Sequence, residues 1–191
     1  MQNVLCFNEK MNKLNLGCGN DIRKGYLNVD AVKLPGVNKV CDLNKFPWTF
    51  KDNEFDIILA YQVIEHLNDI PKSLRELWRI SKNKAKIYIG VPYFASVGAW
   101  TDLTHKHPFG WCSLDYMANN EIHKHSVGKN HAHEYGSKEK FNILNRKFIF
   151  GKLHRCLGIS WFAHKFPMFF ELYLPFIFPA RHIEFKIETV K

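Results

Sequence analysis

Short apolar runs closed by turns follow one another along the first half of this chain, and one segment among them has helical spacing. Lys13–Leu16, Gly25–Asp30, Val37–Asp42, Phe55–Tyr61 and Lys86–Pro92 read as strands, several of them apolar enough to be buried on both faces. Phe46–Phe50 and Lys51–Asn53 make a turn-rich crossover. Glu65 and His66 are expected to open a helix, and Asp69 to cap one in which Ile70, Leu74, Leu77 and Trp78 share a face. Pro71 falls in its first turn, where a missing N–H costs nothing. Further on, Lys147–Phe150 and His182–Glu188 read as strands, the second alternating as an edge or antiparallel one does. Between them, the aromatic run 161–179 is expected to be a helix covering the sheet. Strand and helix alternating in this way predict an α/β, doubly wound, mostly parallel sheet, with ligands at the carboxyl ends of its strands.

The first strand runs straight into Gly17-Cys18-Gly19. A glycine turn lets a ligand approach the backbone closely, because no Cβ intervenes. Asp30, at the end of the second strand, is placed to accept both hydroxyls of a ribose. A dinucleotide fingerprint would need a third glycine where Ile22 stands, and an acid about 20 residues on. The link from Asn20 to Lys24 has room for no more than one helical turn, so no long helix is available to hold a pyrophosphate. A nucleoside ligand without phosphate fits better, and S-adenosylmethionine is the common one.

Composition narrows the picture. The 191 residues are read as one domain, 46% hydrophobic and 15% aromatic, enough for a packed core. Cysteines 6, 18, 41, 112 and 156 form no close pair, which predicts reduced thiols in a cytoplasm. No signal peptide is read at Met1–Val4, and no apolar run is long enough for a transmembrane segment. The net charge of +9 is spread, with 14 basic and 10 acidic residues in 1–93 and 13 and 8 in 94–191. Without a basic run to mark a groove, nucleic acid is not the favoured partner.

Taken together, Leu16-Gly17-Cys18-Gly19, Asp30, Asp42-Leu43, Phe55-Asp56-Ile57-Ile58 and Val63-Ile64-Glu65-His66-Leu67 resemble class I S-adenosylmethionine-dependent methyltransferases of the small type-11 kind, over residues 12–93. The usual third glycine is replaced by Asn20, and the usual acid of the first strand by Asn15. The resemblance implies a Rossmann-like fold and S-adenosylmethionine as cofactor. It also implies site roles: backbone at Gly17, Cys18 and Gly19 toward the methionine moiety, Asp30 on the ribose, Asp42 with the Leu43 backbone on adenine, and Tyr61 and Gln62 near the sulfonium.

About 45 residues after the fifth strand lack periodicity and are rich in His, Asn and Gly, as a substrate loop or lid would be. The division expected is a cofactor half over 12–93, a substrate or lid insertion over 94–140, and closing strands with a covering helix over 141–191. Asp102-Leu103-Thr104-His105-Lys106-His107-Pro108-Phe109 resembles a segment of the same methyltransferase group. His105 is the expected general base, oriented by Asp102, with Tyr93, Thr104 and His107 toward the acceptor. Three His-x-His pairs (105/107, 123/125 and 131/133), with Asp102, Asp115, Glu121 and Glu134, also permit a two-histidine, one-carboxylate metal site. His105, His107 and Asp102 are its nearest candidates, although a metal is not the favoured reading. No planar-amine motif follows the fourth strand, where Ala60-Tyr61-Gln62-Val63 stands, so oxygen acceptors on a small molecule or glycan come first. An RNA or protein methyltransferase, or a nucleoside-binding module without catalysis, is the alternative.

Overall fold

A computed structural model describes residues 11–119 and 139–191. Seven strands form one sheet in the order β3-β2-β1-β4-β5-β7-β6. They are β1 (Lys13–Leu16), β2 (Leu27–Asp30), β3 (Lys39–Val40), β4 (Phe55–Tyr61), β5 (Ser81–Pro92), β6 (Lys140–Ile149) and β7 (His182–Val190). The first five are parallel, while β7 lies antiparallel between β5 and β6. The α/β, mostly parallel architecture expected from the pattern is therefore present, with β6 rather than β7 at the edge.

The helical layers are thinner than expected of a doubly wound sheet. Helix α1 (Ile70–Ile80) crosses from β4 to β5, with Asp69 accepting the Lys72 N–H at 2.9 Å as its cap. Between β1 and β2 asparagines replace the helix. Asn15 Nδ2 donates to the Asp21 carbonyl at 2.7 Å and to Asn28 Oδ1 at 3.0 Å. Asn28 Oδ1 also receives the Arg23 N–H at 2.9 Å, so side-chain amides pin the loop that would otherwise need its own backbone ladder.

The β3–β4 connection is closed by Trp48 and Phe50, both buried. Glu76 and Arg79 of α1 latch it: the Trp48 N–H donates to Glu76 Oε2 at 2.6 Å, and Arg79 donates to the carbonyls of Trp48 and Phe50 at 2.9 Å each. The Trp48 indole N–H in turn donates to the Leu43 carbonyl at 2.9 Å. This is how a helix on one side of the sheet fixes the strand-end loop at β3.

Two expectations are corrected. Glu65 and His66 do not open a long helix; Ile64–His66 is a single 3₁₀ turn that ends before α1 begins. The aromatic run is not one helix either. It falls in α4 (Ile159–Lys165) and α5 (Pro167–Tyr173), which follow the short α2 (Gly98–Thr101) and α3 (Lys152–Cys156). Gly158, at φ 75°, separates α3 from α4, and Pro167, which has no N–H to continue a ladder, starts α5. Of their residues Ala163 and Phe170 are buried, whereas Trp161, Phe169 and Tyr173 are exposed. No described helix is long and apolar enough to cross a membrane.

Candidate active site

Strand order reverses between β1 and β4, and there the carboxyl ends of the parallel strands diverge. A cavity of about 220 Å³ opens at this edge, lined by Gly17, Asp30, Asp42, Leu43, Gln62 and His66 among others. Five of the residues expected to hold a cofactor thus meet on one wall system, although they are up to 45 positions apart in sequence.

The glycine turn explains its own composition. Gly17 and Gly19 sit at φ 57° and 48°, in the left-handed region that costs other residues about 1–2 kcal/mol. A Cβ on Gly17 would stand 2.3 Å from Val63 Cγ2, so this glycine lets the turn after β4 close onto the turn after β1. A Cβ on Gly19 would meet nothing within 4 Å, which is the room a ligand needs. Asp30 accepts the Gly19 N–H at 2.8 Å on Oδ2 and the Val32 N–H at 3.0 Å on Oδ1. Each carboxylate oxygen has a second lone pair, so two acceptor positions remain for ribose hydroxyls. Asp42 Oδ1 receives the Asn44 N–H at 3.0 Å, holding the loop whose Leu43 carbonyl is fixed by Trp48.

Other residues fall differently from the sequence expectation. The Cys18 N–H is already committed to the Val29 carbonyl at 3.0 Å, and the Gly19 N–H to Asp30, so these two donors serve the turn itself. The Cys18 side chain is buried, and its thiol is pushed up first by burial and then by the Asp30 charge. Tyr61 lies against Gly90, where a Cβ would stand 2.3 Å from its ring, with the Arg23 guanidinium 5.7 Å from the ring centre. Gln62, at φ 53°, donates its side-chain amide to the Gly90 carbonyl at 3.3 Å. Tyr93 does not line an open pocket. It is 0% exposed, packed against Phe94, Phe148 and Phe170, and burial pushes its hydroxyl far above the ordinary tyrosine value.

The insertion folds its first part back over the turn after β4. The Lys106 N–H donates to the Glu65 carbonyl at 2.9 Å and Lys106 Nζ to Asn68 Oδ1 at 2.6 Å, which brings His105 beside His66 with ring centres 4.7 Å apart. One atom each from Glu65, His66 and His105 lies within 4.8 Å of the others, a set able to hold a metal ion. Glu65 is 1% exposed, and neither of its oxygens has a hydrogen-bond partner among the described residues. Burial pushes its carboxyl up to about 7, against the opposing pull of neighbouring backbone amides and of His105.

Asp102 and Thr104 stand behind this cluster rather than in it. Thr104 Oγ1 donates to Asp102 Oδ1 at 2.6 Å, and the Thr104 N–H donates to the same oxygen at 2.8 Å. Asp102 Oδ2 is 3.8 Å from His105 Nε2, so the expected orienting hydrogen bond to His105 is not made. His105 Nδ1 instead faces the Ala99 carbonyl at 3.3 Å. Of the three metal candidates named from the sequence, only His105 belongs to this cluster, which it shares with Glu65 and His66 rather than with His107 and Asp102. The Nε2 of His107 is buried elsewhere, without a hydrogen-bond partner among the described residues. Asp115 is buried against Arg146, and Glu121, His123, His125, His131, His133 and Glu134 lie outside the described residues. The one signal that pointed to the missed pair was the dipeptide Glu65-His66 placed just after β4.

Residues 10–89 match a family described as a methyltransferase domain. An uncharacterized protein of Methanocaldococcus jannaschii is 45% identical over 53 residues, which span 28% of this chain and 23% of that protein. Among solved structures, an S-adenosylmethionine-dependent methyltransferase from Mesorhizobium loti aligns with a TM-score of 0.51 at 14% identity, covering 93% of this chain and 90% of that one. One from Archaeoglobus fulgidus aligns with a TM-score of 0.50 at 17% identity, covering 93% and 86%. At such identities the structures speak for the fold, while the family match speaks for residues 10–89. Residues 10–89 of the chain thus match a methyltransferase domain, within a fold shared with S-adenosylmethionine-dependent methyltransferases.

Proposed function

We propose that the chain methylates a hydroxyl oxygen of a small molecule or glycan. The observation that carries this reading is the cluster Glu65, His66 and His105, whose His66 borders the cofactor cavity. An oxygen acceptor must lose a proton, and these groups can take it up and pass it to solvent. When bound, S-adenosylmethionine supplies a methyl group on a positively charged sulfur, and the sulfur leaves as a neutral thioether. Asp30 and Asp42 would hold the nucleoside end, and the glycine turn with Gln62 would set the other end toward the cluster. The chain's own part would be to hold the acceptor hydroxyl in line with that methyl group and to receive the hydroxyl proton at the cluster. Alignment of the two partners and exclusion of water are the main services such a transfer needs.

A carbohydrate-like acceptor is favoured by Trp100. Its indole is 67% exposed, and its N–H is anchored to the Phe94 carbonyl at 2.7 Å. The neighbouring Ala99 carbonyl faces His105, and an exposed indole one residue on is a surface suited to a sugar's C–H face. The test is transfer from isotopically labelled S-adenosylmethionine to mixed pools of hydroxylated metabolites, glycans, RNA and protein. The label is expected in a base-stable ether on a metabolite or glycan. Label found only on nitrogen, or only in RNA or protein, would overturn the reading.

A further inference from the structure

We infer that Glu65, His66 and His105 form a binding site for one divalent first-row metal ion, with coordination positions left open toward the cofactor cavity. The argument follows the protons. Thr104 has a single hydroxyl proton, and it goes to Asp102 Oδ1, 2.6 Å away. The Thr104 oxygen, 2.9 Å from His66 Nδ1, must then accept from that nitrogen. The Thr104 carbonyl, 3.3 Å from the same nitrogen, accepts as well, so His66 carries its proton on Nδ1. His105 Nδ1 faces a carbonyl, which can only accept, and therefore also carries a proton. Each ring is left with a free lone pair on Nε2.

Beside them stands a carboxylate that is buried and without a hydrogen-bond partner among the described residues. One potential ligand atom from each of the three side chains lies within 4.8 Å of the others. Buried polar groups without partners are rare, because each carries its full desolvation cost. A cation satisfies all three at once. The backing also has the form found behind metal-ligating histidines, in which the remote N–H is held by a carbonyl or by a carboxylate-linked group. Two imidazoles and one carboxylate suit zinc, cobalt, manganese or iron(II), and a three-ligand set leaves room for water or a substrate oxygen.

The ion's role in transfer, lowering the pKa of the acceptor hydroxyl so that its proton passes to solvent in place of uptake by the three side chains, rests on the oxygen-methylation reading. Its binding does not. In that role His105 is a ligand rather than the free base expected from the sequence.

The experiment strips the full chain with a chelator, removes the chelator and titrates with Co²⁺, reading the visible d–d band. Saturation at one equivalent is expected, with displacement by Zn²⁺. Glu65→Gln, His66→Ala and His105→Ala should each weaken binding at least tenfold, and Thr104→Val should do so through His66 alone. His107→Ala should bind as the wild type does. Absence of a saturable band in the wild type would overturn the inference, even if a variant fails to fold. So would a one-equivalent band that persists unchanged in all three ligand variants. Calorimetry of S-adenosylmethionine on the stripped protein separates the two readings: cofactor binding should persist there, and its failure would count against the methyltransferase reading while leaving the metal site standing.

Discussion

Asp30 offers the sharpest test of how the cofactor is held. Its two oxygens each spend one lone pair on the backbone, at Gly19 and Val32, and each keeps another for a ribose hydroxyl. Asp30→Ala removes acceptors that carry charge, and a hydrogen bond to such a group contributes about 1.5–3 kcal/mol. The dissociation constant should therefore rise by roughly 10- to 150-fold. The same change frees the N–H groups of Gly19 and Val32. Both lie near solvent, and water can replace the carboxylate, so the stability loss should stay near 1 kcal/mol, or about 2–4 °C in Tm. Asp30→Asn keeps one acceptor oxygen without its charge and should fall between wild type and Ala. Isothermal titration with S-adenosylmethionine and with its demethylated product reads both variants. The ribose is common to the two ligands, so both should weaken alike. An affinity within twofold of wild type would refute the ribose assignment. A loss confined to S-adenosylmethionine would move Asp30 to the sulfonium end instead.

Two further outcomes test the frame around the site. Gly17→Ala forces a side chain into the left-handed region and against Val63, for a cost of about 2–5 kcal/mol that should lower Tm by roughly 5–15 °C; an unchanged melting curve would refute the close approach of the two turns. Burial alone would raise the Glu76 carboxyl, but the Arg79 fork and the Trp48 N–H outweigh it and hold the value below the ordinary 4.5. A carboxyl lowered on folding contributes stability above its unfolded value and loses it as pH falls through its folded one, so acid melts should steepen below about 4.5 in wild type and flatten in Glu76→Gln. Identical acid limbs would show that the latch adds no charge-dependent stability.

The sequence by itself determined the parallel sheet, the glycine turn and the two strand-end acids. Those features are local: an apolar run such as Phe55–Tyr61 must be buried on both faces, and Gly17 and Gly19 report a backbone that other residues resist. Helix α1 was legible for the same reason, since the cap at Asp69 and the spacing of Leu74 and Leu77 lie within a few turns. What periodicity missed was set by contacts between distant positions. Asn15 and Asn28 read as polar interruptions, yet their amides take the place of a helix. Tyr93 follows β5 and suggested a pocket wall, but Phe148 and Phe170, more than 50 residues away, enclose it. Glu65 is the deepest case. The sequence placed it at the opening of a helix, and only folding of the 102–106 loop onto 65–68 sets it beside two imidazoles. Hydrophobic pattern reports which positions leave water. Where polar groups meet once water has gone is decided by the tertiary structure, because partners 38 residues apart carry no mark of each other in the chain.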